Sequence, residues 1–209
     1  KFVIRFKNIN YGITNINDTI HKNIKVKNEE LDDLIIIKND KTPTYNFAVV
    51  IDDIDMTISN IIRGEDHIIN SVRQINIFKS LKKREPCFSH IPIVLNINKK
   101  KLSKRNKENS LLYYINIGIL KESIMNYIIK TGYLNKQEKE IINIIEIKSN
   151  FDITKINKSQ IIFNYKKILW YNKYYIKNVP IYKIYKYILY QNIKKKINFL
   201  NGHNILEII

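Results

Sequence analysis

The stretch SNIIRGEDHIINSVRQINIFKSL, residues 59–81, decides the fold. Its first six residues form a short run with β-branched residues that ends at Gly64, which predicts a buried strand. Apolar residues then recur at helical spacing and predict a helix through Leu81: Ile68, Val72, Ile75 and Phe78. Glu65 and Asp66 begin this helix, where the helix dipole favours negative charge. A strand therefore passes directly into a helix at an acidic turn.

A second apolar run, SHIPIVLN (Ser89 to Asn96), predicts another buried strand and leads into the basic loop NINKKKLSKRNKEN. Strand, helix and strand in this order imply a parallel sheet and an α/β fold. Ligands of such sheets bind beyond the carboxyl ends of the strands. IRGEDH (Ile62 to His67) begins at one such end, and KKLSKR (Lys100 to Arg105) lies just past another. We expect both segments on one rim of the sheet.

The residues before this unit predict short strands and one helix. Strands are expected at Phe2–Lys7, Asn23–Lys27 and Leu34–Lys38, separated by turn residues. In YNFAVVIDDIDM the apolar residues fall on one face of a helix: Phe47, Val50, Ile51 and Ile54. From about Ser110 onward the periodicity predicts helices only. We therefore expect two domains, an α/β domain at 1–106 and an α-helical domain at 107–209.

Composition limits the classes of protein. The 209 residues carry a formal net charge of +17, with 44% hydrophobic residues, which is enough for a core and favours a polyanionic partner. The abundance of Lys, Asn, Ile and Tyr is also typical of AT-rich genomes, so compositional drift is an alternative source of charge. Cys87 is a lone cysteine, and neither a metal-ligand cluster nor an apolar run of about 20 residues is present. We expect a reducing compartment and no membrane.

Six segments in collinear order resemble the second half of bacterial-type glutamyl-tRNA synthetases, which are class I enzymes: PTYNFAVVIDD, IIRGEDH, HIPIVLN, KLSKR, GILKESIMNYIIKTGY and FNYKKILWYNKYYI. The resemblance spans nearly the whole chain. It implies the second half of a class I Rossmann-type nucleotide-binding domain, followed by an α-helical stem-contact domain. RGEDH and YNFAVV follow the glutamate enzymes rather than the glutamine enzymes. KLSKR corresponds to the mobile lysine-serine-lysine signature loop of class I.

The basic loop fits the chemistry that the resemblance implies. Activation of an amino acid places negative charge on the phosphate oxygens of ATP in the transition state, and flexible ammonium groups can stabilise that charge as a loop closes. Lys104, and secondarily Lys101, are the expected catalytic groups, with Ser103 and Arg105 completing the ATP-binding loop. By itself, KKKLSKRNK is also compatible with a generic basic patch.

The acidic segment and Tyr45 supply the expected substrate contacts. Arg63 follows a strand and suits bidentate binding of a carboxylate. The resemblance implies that Arg63 and Tyr45 bind glutamate and that Asp66 approaches ATP, with His67 a minor possibility. The alternatives are a surface arginine paired with Glu65 or Asp66, a turn tyrosine and a helix-capping acid.

The segment NYKKILWYNKYYIKN (Asn164 to Asn178) interleaves aromatic residues with lysines, which suits contact with RNA. The expected tRNA-binding residues are Lys166, Lys167 and Lys173. The alternative is an ordinary helix that buries some apolar residues and leaves its lysines in solvent: Ile168, Leu169 and Tyr175.

The function that the resemblance implies is that of a glutamate–tRNA ligase, which uses ATP and Mg²⁺ to join glutamate to tRNA(Glu). We expect a monomer in the cytoplasm, with an organelle matrix as the alternative. Because the chain starts with Lys and lacks the family's His-Ile-Gly-His half, we expect it to be a fragment. Ile54 replaces a common histidine, Thr57 a common glycine, and no His-Gly follows Arg105. Two alternatives stay open: a paralogue that glutamylates a modified tRNA base, and a degenerate remnant that only binds RNA.

Overall fold

The computed structural model describes residues 2–102, 110–133 and 139–195. The α/β part contains strands β1 (Ile4–Phe6), β2 (Ile13–Asp18), β3 (Lys22–Lys27), β4 (Leu34–Ile37), β5 (Asn60–Gly64), β6 (Cys87–Ile91) and β7 (Val94–Leu95). Its helices are α1 (Tyr45–Asp55) and α2 (Ile68–Ser80), and a single 3₁₀ turn, Glu65–His67, joins β5 to α2. The predicted strand, helix and strand are confirmed.

A four-stranded sheet in the order β3-β2-β6-β5 forms the centre of this part. β5 and β6 are parallel, with Ile62 opposite Ser89 and Arg63 opposite His90. β2 also runs parallel to β6, whereas β2 and β3 form an antiparallel hairpin. The sheet is therefore mixed rather than fully parallel, and β2 is a strand that the sequence did not predict. The antiparallel pair β1 and β4 lies apart from this sheet.

The core lies where α2 packs on the sheet and on α1. One cluster joins α2 to the strands and contains Ile16, Val26, Leu31, Val72, Ile75 and Phe88. A second joins α2 to α1 and contains Val50, Ile77 and Phe78. β5 occupies one end of the sheet and exposes 60% of Ile62, so the prediction that this strand is buried is wrong.

The predicted strand 89–96 is interrupted at Pro92. Proline cannot donate a ladder hydrogen bond, so it is rarely found inside a paired strand. β6 ends at Ile91, and β7 pairs in parallel with β8 (Ile161–Ile162) instead. The prediction of helices only after Ser110 is wrong at β8. This pairing joins the α/β part to the later helical part.

The remaining elements are helices α3 (Leu111–Asn116), α4 (Lys121–Gly132), α5 (Ile144–Ser149), α6 (Tyr165–Asn178) and α7 (Ile181–Lys195). α4 packs against α6 through a cluster of buried side chains: Ile119, Ile124, Tyr127, Ile168 and Tyr171. Asn172 ties the start of α4 to α6, because its Oδ1 accepts from the Leu120 amide at 2.8 Å. The boundary near residue 107 stays a prediction.

In the described part of the chain, the helices are too short or too polar to cross a bilayer.

Candidate active-site rim

Arg63 lies at the carboxyl end of β5, and its guanidinium is held from two sides. Nη2 donates to Gln74 Oε1 at 2.8 Å and to Ser71 Oγ, both on α2. Nε points to His90 Nε2 at 3.5 Å, and the guanidinium lies 5.4 Å from the centre of the Phe88 ring. Burial lowers the pKa of Arg63, although the side chain remains charged. Arg63 is therefore not the surface residue of the alternative interpretation.

Tyr45 is the first residue of α1 and is exposed over 55% of its surface. Its hydroxyl lies beside Arg63, where it opposes the effect of burial on the pKa of that guanidinium. Thr44 fixes the start of the helix, since its hydroxyl donates to the Ile35 carbonyl at 2.7 Å. The structure thus places Tyr45 beside Arg63, with much of the Tyr45 side chain exposed to solvent.

Asp66 and Lys101 form an ion pair that joins the acidic and basic segments. The hydrogen bond from Lys101 holds the pKa of Asp66 below its ordinary value. The Asp66 carboxylate also lies 3.8 Å from His67 Nε2. The predicted meeting of IRGEDH and KKLSKR is confirmed for this pair of side chains. The prediction that both follow strands of one sheet is wrong, because β7 pairs with β8 and not with β6.

A tight turn after β7 brings Lys101 back to the rim. The Lys99 amide donates to the Asn96 carbonyl at 2.9 Å, and the Asn96 amide donates to the Lys100 carbonyl at 2.8 Å. Leu95 and Lys101 then form an antiparallel bridge. The chain therefore reverses within a few residues, and Lys101 lies beside the strand that it has just left.

Gly64 makes room for the acidic turn. A Cβ at this position would collide with the Asp66 carboxylate, so a side chain here would displace Asp66. Glu65 ties the turn to the segment between β6 and β7, because its Oε1 accepts from the Ile93 amide at 3.3 Å. The other Glu65 oxygen lies 3.8 Å from His21 Nε2. Glycine at position 64 thus leaves room for the Asp66 carboxylate in its contact with Lys101.

Behind the rim lies a buried polar relay, defined here as Asp18, His90 and Ser71. His90 Nδ1 and Asp18 Oδ2 are 2.7 Å apart, and His90 Nε2 and Ser71 Oγ are also 2.7 Å apart. All three side chains are essentially inaccessible to solvent. Burial lowers the pKa of His90 and so favours the neutral ring, whereas Asp18 has the opposite effect. Ser71 also accepts from Arg63, so the relay supports Arg63 and does not present a nucleophile to solvent.

The relay was missed from the sequence. Its signal was the alternation in ITNIND, where Thr14, Ile16 and Asp18 point inward along β2. The sequence did not indicate that His90 and Ser71 are buried. A polar residue within an apolar run can equally face solvent, and only the neighbouring strand shows which face it lies on.

Three of the predicted loop residues, Ser103, Lys104 and Arg105, lie outside the described residues. The predicted RNA-binding residues lie on α6. Lys166 and Lys173 are exposed, whereas Lys167 pairs with Glu140 at 2.9 Å and lies 4.7 Å from the Trp170 ring centre.

The interpretation of α6 as an ordinary helix is accurate for its inner face only. Ile168 is buried and Tyr175 packs against the same cluster, but Leu169 is 43% exposed and Trp170 is 47% exposed. Lys166, Trp170 and Lys173 share one helical face by their spacing. This face combines cations with an aromatic ring in solvent.

The chain is similar to known proteins in both sequence and fold. Residues 1–170 match the family model described as tRNA synthetases class I (E and Q), catalytic domain. The chain belongs to this family. Among curated relatives of this class I synthetase chain, the glutamate–tRNA ligase of Wigglesworthia glossinidia brevipalpis is 46% identical over 209 residues. That of Buchnera aphidicola subsp. Baizongia pistaciae is 44% identical over 209 residues.

A solved structure gives the same result for the fold of the class I synthetase chain. The glutamate tRNA ligase of Elizabethkingia meningosepticum, determined in complex with its amino acid, superimposes with a TM-score of 0.81 at 28% identity. The match covers 99% of this chain and 45% of that one. The chain likewise spans 44% of the length of both curated relatives, so it corresponds to less than half of a ligase.

Proposed function

We propose that this chain supplies part of the active site of a glutamate–tRNA ligase. The observation that carries the proposal is the ion pair between Asp66 and Lys101, which lies on the turn that follows Arg63. Arg63 suits a carboxylate and Lys101 suits phosphate. The names of the relatives support glutamate as the amino acid. The substrates are then ATP, glutamate and tRNA(Glu).

In the first step, the α-carboxylate of glutamate attacks the α-phosphate of ATP, a P–O bond forms, and pyrophosphate leaves with the electron pair of the broken bond. Arg63 and Tyr45 are the proposed contacts for glutamate. Two contacts with α2 and one with His90 hold Nη2 and Nε of Arg63, and Tyr45 hydrogen-bonds to the same guanidinium. A guanidinium fixed in this way binds a carboxylate at low entropic cost.

The cations of the loop stabilise the charge that develops on the phosphates. Lys101 is bound to Asp66 on the rim and is 58% exposed at its side chain, so ATP can compete with Asp66 for its ammonium group. Lys104 is the proposed principal catalytic group, on the strength of the KLSKR match, and Ser103 and Arg105 complete the ATP contacts. Asp66 then orients Lys101 and approaches ATP through it.

In the second step, a ribose hydroxyl at the tRNA 3′ end attacks the adenylate carbonyl, and AMP leaves. We propose that the outer face of α6 contacts the tRNA backbone through Lys166 and Lys173. Lys167 has a smaller part, because Glu140 already neutralises it.

Mg²⁺ is proposed to arrive with ATP. In residues 2–102, 110–133 and 139–195, no three His, Cys, Asp or Glu side chains are grouped to hold a metal ion. Mg²⁺ commonly keeps several waters and binds substrate phosphates, so such a group is not required. Bound Mg²⁺ would neutralise phosphate charge, and we assign it no protein ligand.

We further propose a monomer of the bacterial cytoplasm. The support is that the relatives described above come from bacteria.

The test uses a full-length form, in which residues 1–209 are joined to the parts of the Wigglesworthia ligase outside the match. With ATP, Mg²⁺ and tRNA(Glu), this form should attach radiolabelled glutamate to tRNA and should not attach glutamine. Arg63→Ala should lose most of that activity, whereas Arg84→Ala, an exposed arginine after α2, should retain it. Activity with glutamine alone, or RNA binding without any aminoacylation, would contradict the proposal.

A further inference from the structure

The buried relay behind Arg63 has a definite direction of hydrogen bonding. The Asp18 carboxylate accepts from the backbone amides of Ile20, His21 and His90 at 2.9, 2.8 and 3.0 Å. With its oxygens committed as acceptors, Asp18 requires a donor at His90 Nδ1. His90 Nε2 is then the acceptor of the ring.

An acceptor at Nε2 fixes the hydroxyl of Ser71. The Ser71 hydroxyl has two acceptors in reach, His90 Nε2 at 2.7 Å and the His67 carbonyl at 3.2 Å, and the shorter contact assigns its proton to His90. The Ser71 oxygen accepts from Arg63 Nη2. Gln74 completes the arrangement: its Oε1 accepts from Arg63 at 2.8 Å while its Nε2 donates to Asn46 at 3.0 Å. His90, Ser71 and Gln74 therefore each pair a donor with an acceptor, which a buried network needs in order to stabilise one geometry.

The network also joins the two elements that define the rim. Ser71 and Gln74 are on α2, and His90 is on β6, directly opposite Arg63 in the parallel ladder. Ser71, Gln74 and His90 are each at most 1% exposed, so water does not compete for these hydrogen bonds. None of the three is among the residues to which the ligase activity was assigned above.

We propose that His90 and Ser71 are positioning residues for glutamate binding, which aim the Arg63 guanidinium at the substrate carboxylate. Asp18 sets the tautomer of His90, and His90 in turn sets the hydroxyl of Ser71. This assignment rests on the proposed ligase function, because it names the substrate group that Arg63 receives.

Three substitutions separate positioning from general stability. His90→Asn keeps a donor near Asp18 but removes the acceptor at Nε2, and His90→Gln restores an amide oxygen near the Nε2 position. Ser71→Ala breaks the link at its middle. The matched control is Asn76→Ala, because Asn76 is a buried polar residue of the same helix whose partners are Asn8 and Thr14.

In the full-length form, Ser71→Ala and His90→Asn should raise KM for glutamate about tenfold, since a misaimed guanidinium loses most of its oriented contact. KM for ATP should change less than about twofold, and His90→Gln should recover part of the loss. Asn76→Ala should leave KM for glutamate unchanged. Unchanged KM for glutamate in Ser71→Ala and His90→Asn, or an equal rise in Asn76→Ala, would overturn the proposal.

A second measurement does not depend on activity. In residues 1–209, hydrogen exchange at Arg63 Nε, followed by NMR with ¹⁵N-labelled arginine, should speed up about tenfold in His90→Asn and Ser71→Ala but not in Asn76→Ala. Unaltered exchange would overturn the positioning role even if the ligase function holds. If the full-length wild type is inactive but exchange still speeds up in the two variants, the hydrogen-bond network stands. Glutamate as the ligand that the relay serves, and with it the ligase function, would then be wrong.

Discussion

The ammonium group of Lys101 pairs with the carboxylate of Asp66, 35 residues earlier in the chain. This contact links the turn after β5 to the turn after β7. It is partly exposed, with side-chain accessibilities of 58% and 32%, so it contributes little to stability. Because it lies on the rim, we propose that it orients the basic loop.

Asp66→Asn should therefore separate stability from activity. We expect the free energy of unfolding to change by less than about 1 kcal/mol, as for an exposed ion pair. In the full-length form, kcat/KM for ATP should fall about tenfold, since a charged hydrogen bond that orients Lys101 is lost. Steady-state kinetics with varied ATP measures this, and Asp55→Asn, at the exposed end of α1, is the control. Equal kinetics for the two variants would contradict an orienting role.

Acid should destabilise the chain through His90. Its pKa is lowered by burial, with Arg63 and His21 adding to the effect and Asp18 opposing it. The unfolded state therefore binds a proton at a higher pH than the folded state. The contribution of His90 to stability is complete above pH of about 6.5 and is lost as the pH falls from there toward the folded-state pKa.

Urea unfolding at several pH values checks this prediction. Wild type should lose stability below a pH of about 6.5 more steeply than His90→Asn, which has no proton to bind at this position. The His21→Asn variant is the control for the neighbouring histidine. Parallel pH profiles of wild type and His90→Asn would show that His90 does not titrate differently on unfolding.

Thr57 stands in a backbone conformation that favours glycine. Its φ is +56°, and it follows α1 in a Schellman arrangement: the Thr57 amide donates to the Ile54 carbonyl and the Ile58 amide to the Asp53 carbonyl. A β-branched residue is strained in the left-handed region. Thr57→Gly should raise the free energy of unfolding by about 1 kcal/mol. Met56→Gly, one residue earlier at φ −82°, should lower it instead, and chemical denaturation of both variants measures the difference.

The outer face of α6 should give a salt-dependent affinity for tRNA. If the basic surface meets roughly four to six phosphates, log affinity should fall with log salt at a slope of about −4 to −5. Lys166→Ala or Lys173→Ala should each reduce the slope by about one. Lys167→Ala should reduce it less, because Glu140 pairs with this residue. Filter binding of residues 1–209 to tRNA at several salt concentrations decides between this surface and compositional drift, which predicts a flat response.

Local patterns predicted the strand, helix and strand of residues 59–96 because apolar spacing reports directly which face of an element is buried. β2 was missed because ITNIND contains two asparagines and one aspartate, residues that are unfavourable in strands. Here Thr14 and Asp18 are stabilised by buried partners from α2 and β6, which the local sequence does not contain.

The sequence likewise predicted part of the rim but not the residues behind it. The sequence predicted IRGEDH and KKLSKR on one edge of a single sheet, because the carboxyl ends of neighbouring parallel strands lie together. Asp66 and Lys101 do meet, but Lys101 follows β7, which pairs with β8 in a separate two-stranded sheet. The relay could not be predicted, because a hydrogen bond between Asp18 and His90 spans 72 residues and depends on the pairing of β2 with β6. The departure at Thr57 could be seen in the sequence, but its physical consequence required the backbone angle.

The most direct test of the central claim, that the acidic rim and the basic loop form one active site, is the single-turnover rate of glutamyl-adenylate formation by the full-length form. Lys104→Ala should lose about 2.7–4 kcal/mol of transition-state stabilisation and slow this step by a few hundredfold or more, with little change in the affinity for glutamate or tRNA. Lys107→Ala, which has no counterpart in the signature, should alter the rate only slightly. Equal and small effects of the two substitutions would contradict the claim and leave KKLSKR as a basic patch without a catalytic role.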